Sequence, residues 1–289
     1  MIISIPSILL SLGVKCLLNW ALVLIQRNHI CQSFLGVFSI SLSVIDTALT
    51  LFAATVHLLN DGYILLIGVK FTRFHVCLLV QILGQVYSNL QWPVVVLAGL
   101  DHYKSLTRRL ESTVTRAKQL VYLFVSGCLW YLSAVFVFLL SDFNPILENV
   151  PYNQIQQCWV FHTSQILQVV VLLLLSLGYT TLHARYNKQL PKDQNTDQRT
   201  TVYQITHIFL NTWVLFLFFL AVLFLLPVGI PAYLGLNVVW LSFLNSILIA
   251  LLLCAVCPAS QLVQGLAAVP PDSFCEWRIK FILAAENRT

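Results

Sequence analysis

Residues Cys77 to Tyr103 read CLLVQILGQVYSNLQWPVVVLAGLDHY, and this stretch decides how the rest of the chain is understood. No charged side chain falls between Cys77 and Asp101. At the rise of an α-helix those residues span about 36 Å, enough to cross a bilayer with some tilt. Cys77, Gln81, Gln85, Ser88 and Gln91, with Gly84 beside them, recur at spacings of three and four and share one helical face. Lipid cannot satisfy amides, so a polar stripe on such a helix must face protein or water. The stretch is expected to be the central helix of a membrane bundle.

Composition agrees. Of 289 residues, 58% are hydrophobic and 9% charged, with a mean hydropathy of +0.83. Soluble domains carry about 25% charged residues, so a soluble globular reading is excluded. The net charge of +5 does not point to nucleic acid, because the basic residues sit in short loops between apolar runs. Eight cysteines, mostly inside apolar runs, are too few for a disulfide scaffold. The first apolar run is too long for a cleaved signal peptide and lacks a basic leader, so it reads as a retained signal anchor.

Seven stretches are long enough to span: Ile2–Ile25, Ser33–Leu59, Phe74–Leu100, Leu120–Leu140, Val160–Leu182, Tyr203–Leu226 and Ala232–Val256. Between the second and third, the apolar run Ile64–Val69 either extends the second helix or lies at the interface. The expectation is an all-α integral membrane protein, with a seven-helix bundle over residues 1–256 and a short cytoplasmic tail over 257–289. Basic residues set the orientation. With the amino end outside and the carboxyl end inside, thirteen of the sixteen face the cytoplasm, in clusters such as Lys104–Lys118, Arg185–Arg199 and Arg278–Arg288. Only Lys70 and Arg73 face outward, and Lys15 lies within the first span. Cys254, at the end of the seventh span, and Cys257, just past it, are either lipidated or plain buried thiols. Two cysteines without a second pair make a poor zinc site.

Several constellations carry chemical meaning. Cys77 and Cys158 both lie where a span meets the oxidising outer side, so they are either disulfide-bonded or two unrelated interfacial thiols. Asn19, Asp46, Gln91, Ser242 and Asn245 are polar residues within spans. A carboxylate in the hydrocarbon layer needs partners, a proton or a cation. Lys15, one turn outward of Asn19 on the same face, is within reach as a counter-ion. This set is either an ion- or proton-sensitive switch core or a buried cluster that fixes helix packing. Asp101-His102-Tyr103, with the basic loop that follows, is either an inner latch, with His102 sensitive to protonation, or an ordinary helix end. Trp213 is either a movable aromatic beneath a cavity or simple packing. No metal triad, Ser-His-Asp set or paired carboxylates can be assembled, so no enzymatic activity and no cofactor are expected.

Together these residues resemble the rhodopsin-class G protein-coupled receptors, across all seven spans. Cys77 precedes Asp101 by 24 residues, the family's spacing between its third-helix disulfide cysteine and the aspartate of its Asp-Arg-Tyr motif. Asn19 matches the first-helix asparagine, and Asp46 the second-helix aspartate that binds sodium in many members. Trp130 matches the fourth-helix tryptophan, Trp213 the sixth-helix toggle, and Asn245 the asparagine of Asn-Pro-x-x-Tyr. Gln91 and Ser242 fall at further sodium-site positions. Leu110 stands where members place an apolar residue that inserts into the G protein. The resemblance implies a plasma-membrane receptor with an outer ligand, and a heterotrimeric G protein or arrestin as inner partner. Gln81, Gly84, Gln85, Ser88, Gln165, Tyr233 and Asn237 are its ligand-pocket residues. Their amides disfavour an obligatorily cationic ligand; the sequence does not otherwise specify one.

Departures bear on signalling. His102 replaces the family's arginine, removing a fixed cation. Asn245-Ser-Ile-Leu-Ile249 has neither the proline nor the tyrosine of the seventh-helix motif, and Trp213 is followed by Val-Leu rather than a proline. Pro93 adds a kink signal to the third helix. A receptor-shaped scaffold without G-protein activation is thus one alternative. A small membrane transporter using Lys15 and Asp46 is another, and would call for broken helices and repeated halves.

Overall fold

The computed structural model describes residues 2–26, 30–58, 63–66, 69–107, 116–139, 157–163, 168, 192–225 and 229–256. Most of the fifth expected span, the first part of the third inner loop (183–191), residues 257–289, Leu110 and Gln165 lie outside them. The chain divides into two compact units. One holds Met1–Val94, Val114–Thr163 and Gly229–Leu241, and the other Val95–Thr113, Ser164–Val228 and Ser242–Thr289.

The first unit opens with a short strand, β1 (Ile2–Ser4), followed by α1 (Ile5–Ile25). The apolar run was expected to be helical from Ile2. Instead its first three residues pair antiparallel with β4 (Gln157–Trp159), Ile3 opposite Cys158. Pro6 then stands in the first turn of α1, where a missing N–H is harmless. After a 3-10 turn at Ile30–Gln32, Ser33 caps α2 (Phe34–Leu58) by accepting the Gly36 N–H on its Oγ at 3.0 Å. The run Ile64–Val69 does not extend the second helix. It contributes to a hairpin, β2 (Tyr63–Leu66) against β3 (Val69–Thr72), as its β-branched and aromatic content favours.

Two long helices follow, α3 (Arg73–Thr107), assigned without a break through Pro93, and α4 (Arg116–Leu139). In the first unit α4 packs on α2 through aromatic rings. Trp130 stacks on Phe38 at 5.7 Å and 9°, and its Nε1–H donates to Ser41 Oγ. In α1, Ile5, Ile8, Leu12, Lys15, Asn19 and Leu22 are buried, the i, i+3, i+4 pattern of one face. The opposite face carries Leu10 and Leu17, 72% and 74% exposed. An apolar exterior around a buried lysine, asparagine and aspartate reverses the soluble arrangement and fits a lipid solvent.

The seventh span is not continuous. A single turn, α6 (Ala232–Gly235), precedes the break at Leu236–Asn237, and α7 (Val238–Val256) resumes beyond it. Between α4 and α6 runs α5 (Lys192–Leu225), which starts well before the apolar run at Tyr203. Helix hydrogen bonding outlasts hydropathy there, because Lys, Gln and Arg are good helix formers in water. In the second unit, Phe209, Trp213 and Phe216 of α5 gather round Phe243 of α7, with ring centroids 5.0–5.8 Å from it. Gly99 of α3 lets α7 approach closely, since a Cβ there would meet Leu248 Cδ2 at 2.7 Å.

Four described helical segments are long and apolar enough to cross a membrane: Ile5–Ile25, Phe34–Leu58, Arg116–Leu139 and Ile205–Leu223. They identify a multi-pass membrane protein.

Candidate functional site: a charge-paired polar core

The site is built around Asp46, which is fully buried midway along α2. An ionised carboxylate there is tolerable only with full pairing. Lys15, one turn before Asn19 on the buried face of α1, donates from Nζ to Asp46 Oδ1 at 2.8 Å. Asn19 Nδ2 donates to Oδ2 at 2.8 Å, and Tyr87 of α3 donates from Oη to Oδ1 at 2.7 Å. Lys15 is itself 5% exposed. Its Nζ also donates to the Tyr233 carbonyl at 2.9 Å and lies 4.2 Å from the Tyr87 ring centroid. The Tyr87 ring in turn packs edge-on to Trp130.

The same residues close the break in the seventh span. Helix ends leave orphan carbonyls and N–H groups, which in lipid must find partners. Lys15 takes the Tyr233 carbonyl, and Asn19 Oδ1 accepts the Val238 N–H at 3.0 Å. Asn237 bridges the gap from within. Its Nδ2 donates to the Leu234 carbonyl, and its Oδ1 accepts the Trp240 N–H at 2.9 Å, a helix N-cap. Tyr233 turns its hydroxyl to Ser11 Oγ at 2.8 Å. Three segments, α1, α2 and the broken helix, are thus tied through one ion pair.

The end of the unit that carries β1 and β4 is cross-tied as well. Cys77 and Cys158 are joined as a disulfide, with Cα atoms 5.3 Å apart. Gln81 donates from Nε2 to the Trp159 carbonyl at 2.8 Å. Thr163 N–H donates to Ile230 O, and Ala232 N–H to Phe161 O. Residues 157–163 therefore pair with β1 at one end and with 230–232 at the other.

Other expected site residues are distributed as follows. Gly84 lets α6 approach α3, since a Cβ there would stand 3.0 Å from that of Ala232. Gln85 is half-buried, whereas Ser88 is exposed and bonds back to the Gly84 carbonyl. Gln91 is buried. Ser242 and Asn245 fall in the second unit. There Asn245 Oδ1 lies 2.8 Å from Nε2 of His102, a contact that needs the Nε2-protonated imidazole. His102 is 3% exposed, and its Nδ1 makes no hydrogen bond among the described residues. Asp101 is half-buried and Tyr103 exposed. Trp213 is buried in the phenylalanine cluster.

Sequence reasoning missed Tyr87 and the helix break. Tyr87 stands three residues after Gly84 and four before Gln91, the spacing that picks out the polar stripe. The break is signalled by Gly235 and Asn237, residues that favour helix ends.

No family model matches the chain, and no solved structure matches it significantly. Curated proteins do. The chain is 28% identical over 292 residues to the protein of Homo sapiens named probable G-protein coupled receptor 160, covering 93% of this chain and 84% of that one. The protein of the same name from Rattus norvegicus is 28% identical over 301 residues, covering 95% and 87%. That from Mus musculus is 27% identical over 291 residues, covering 93% and 85%.

Proposed function

We propose that this chain, a relative of the G-protein coupled receptors, is a seven-helix receptor of the rhodopsin class with altered activation motifs. Its amino end lies outside and its carboxyl end in the cytoplasm, as the basic residues favour. It resides in the plasma membrane, senses an extracellular ligand, and acts through a heterotrimeric G protein or arrestin. The observation that carries the reading is the relationship over 93% of the chain to proteins named as such receptors. Of the expected pocket amides Asn237 is committed to the helix break, which leaves Gln81 and Gln85, so an uncharged or hydrogen-bonding ligand suits the outer half better than a cationic amine. Inner signalling runs through Asp101, His102, Tyr103 and Leu110, and Trp213 provides the coupling aromatic.

One observation favours a second reading, a receptor-like scaffold that does not activate G proteins. His102 stands where the resembled family has an arginine, and its Nε2 is engaged by Asn245. A buried imidazole held this way presents no fixed guanidinium to a partner. A panel of G-protein and arrestin recruitment assays on surface-expressed protein separates the two. Basal or ligand-driven recruitment of any G protein supports the receptor. Silence across the panel, with normal surface delivery, supports the scaffold.

A further inference from the structure

An ion pair whose two members sit 5% and 0% exposed inside an apolar unit calls for a reason. Lys15 and Asp46 carry opposite charges, so the pair adds no net charge to the lipid-embedded core. The pair is also well satisfied. Asp46 accepts hydrogen bonds from an ammonium, an amide and a phenol, and the ammonium reaches a second oxygen, the Tyr233 carbonyl at the helix break. A carboxylate oxygen and a freed backbone carbonyl converging on one positive centre is the donor set that hard monovalent cations take at broken membrane helices. Here the positive centre is covalently attached.

We propose that the Lys15 ammonium serves as the resident counter-cation of the Asp46 cavity, in place of a diffusible ion, and that the cavity has a latent sodium site which the lysine fills. The wild-type protein is then indifferent to sodium. Lys15→Met keeps the apolar stem and deletes the charge. It leaves Asp46 Oδ1 and the Tyr233 carbonyl facing a vacancy of about ammonium size, which sodium can enter with water completing its shell. The inference concerns the ion pair alone and does not depend on what the protein signals to.

The test is thermal melting of the detergent-purified full chain in sodium chloride against choline chloride at constant ionic strength. Binding to the folded state raises the midpoint with concentration. The wild type is expected to melt at the same temperature in both salts. Lys15→Met should melt lower in choline and recover by several degrees, saturably, in sodium. Lys15→Met combined with Asp46→Asn, which has no charge to neutralise, should lose the sodium response. A saturable sodium-dependent rise in the wild type overturns the proposal, because the ion would then bind with Lys15 in place. So does a folded Lys15→Met protein that ignores sodium, whatever its melting temperature in choline. Should Lys15→Met give no folded protein, the double variant decides. Recovery of folded yield supports the charge pairing, and a yield as poor as that of the single variant overturns it.

Discussion

Tyr87 shows how much one side chain contributes to the charge-paired core. Its hydroxyl is one of three donors to Asp46 and its ring lies against the Lys15 ammonium. Tyr87→Phe keeps the ring and its edge contact with Trp130 but removes a hydrogen bond to a charged acceptor, a loss of about 1.5–3 kcal/mol. The melting temperature should fall, and a variant as stable as the wild type would show that the hydroxyl is dispensable. Asp46, Asn19 and Lys15 were legible in the sequence because ionisable and amide groups are rare inside apolar runs. Tyr87 was not, because an aromatic residue in a span announces nothing until a carboxylate is seen beside it. Asn245 was legible as an amide in a span, and it is bonded to His102; such a residue announces that it needs a partner without saying which.

At the scale of elements, the interrupted seventh helix is the feature that hydropathy hides. Its apolar run is continuous from Val238, and Pro231, Gly235 and Asn237 mark the ends only to a reader looking for caps. Asn237→Ala removes both the bond to the Leu234 carbonyl and the cap on Trp240, and should cost about 1 kcal/mol, the usual effect of losing a cap. Asn237→Asp retains the cap acceptor but not the amide donor, so it should fall between the two in a melting series. The broken helix was the mark expected of a transporter, yet Lys15, Asn19 and Asn237 take up its orphan groups. Register and length were read well for α2 and α4, where the apolar run and the helix coincide. They were read poorly for α5, where the helix continues into polar sequence.

For the molecule as a whole, two measurements bear on topology and output. Peptide mapping of unreduced, surface-delivered protein should recover Cys77 linked to Cys158. Recovery of both as free thiols would count against the bond and against placing both residues outside. His102→Arg should increase G-protein activation at matched surface expression, because a guanidinium restores a fixed cation with bidentate reach. Unchanged or reduced activity would support the scaffold. The membrane class was legible from composition alone. The central stretch Cys77–Asp101, though, is not among the described segments apolar enough to qualify as a span by hydropathy. The amides that mark it as central also lower its hydropathy, so the same residues argue for burial and against detection.

The ion pair also constrains biogenesis. Lys15 precedes Asp46 by 31 residues, so during synthesis the lysine reaches the translocon before its partner has left the ribosome. A lysine at the centre of a lone span opposes insertion by about 2.5–3.5 kcal/mol. The first segment should therefore enter the bilayer poorly alone and well as a hairpin with the second, which brings the neutralising carboxylate. A glycosylation-reporter assay would register that difference, and Lys15→Met should abolish it by letting α1 insert unaided. For this protein, membrane integration becomes a question of timing between two successive helices.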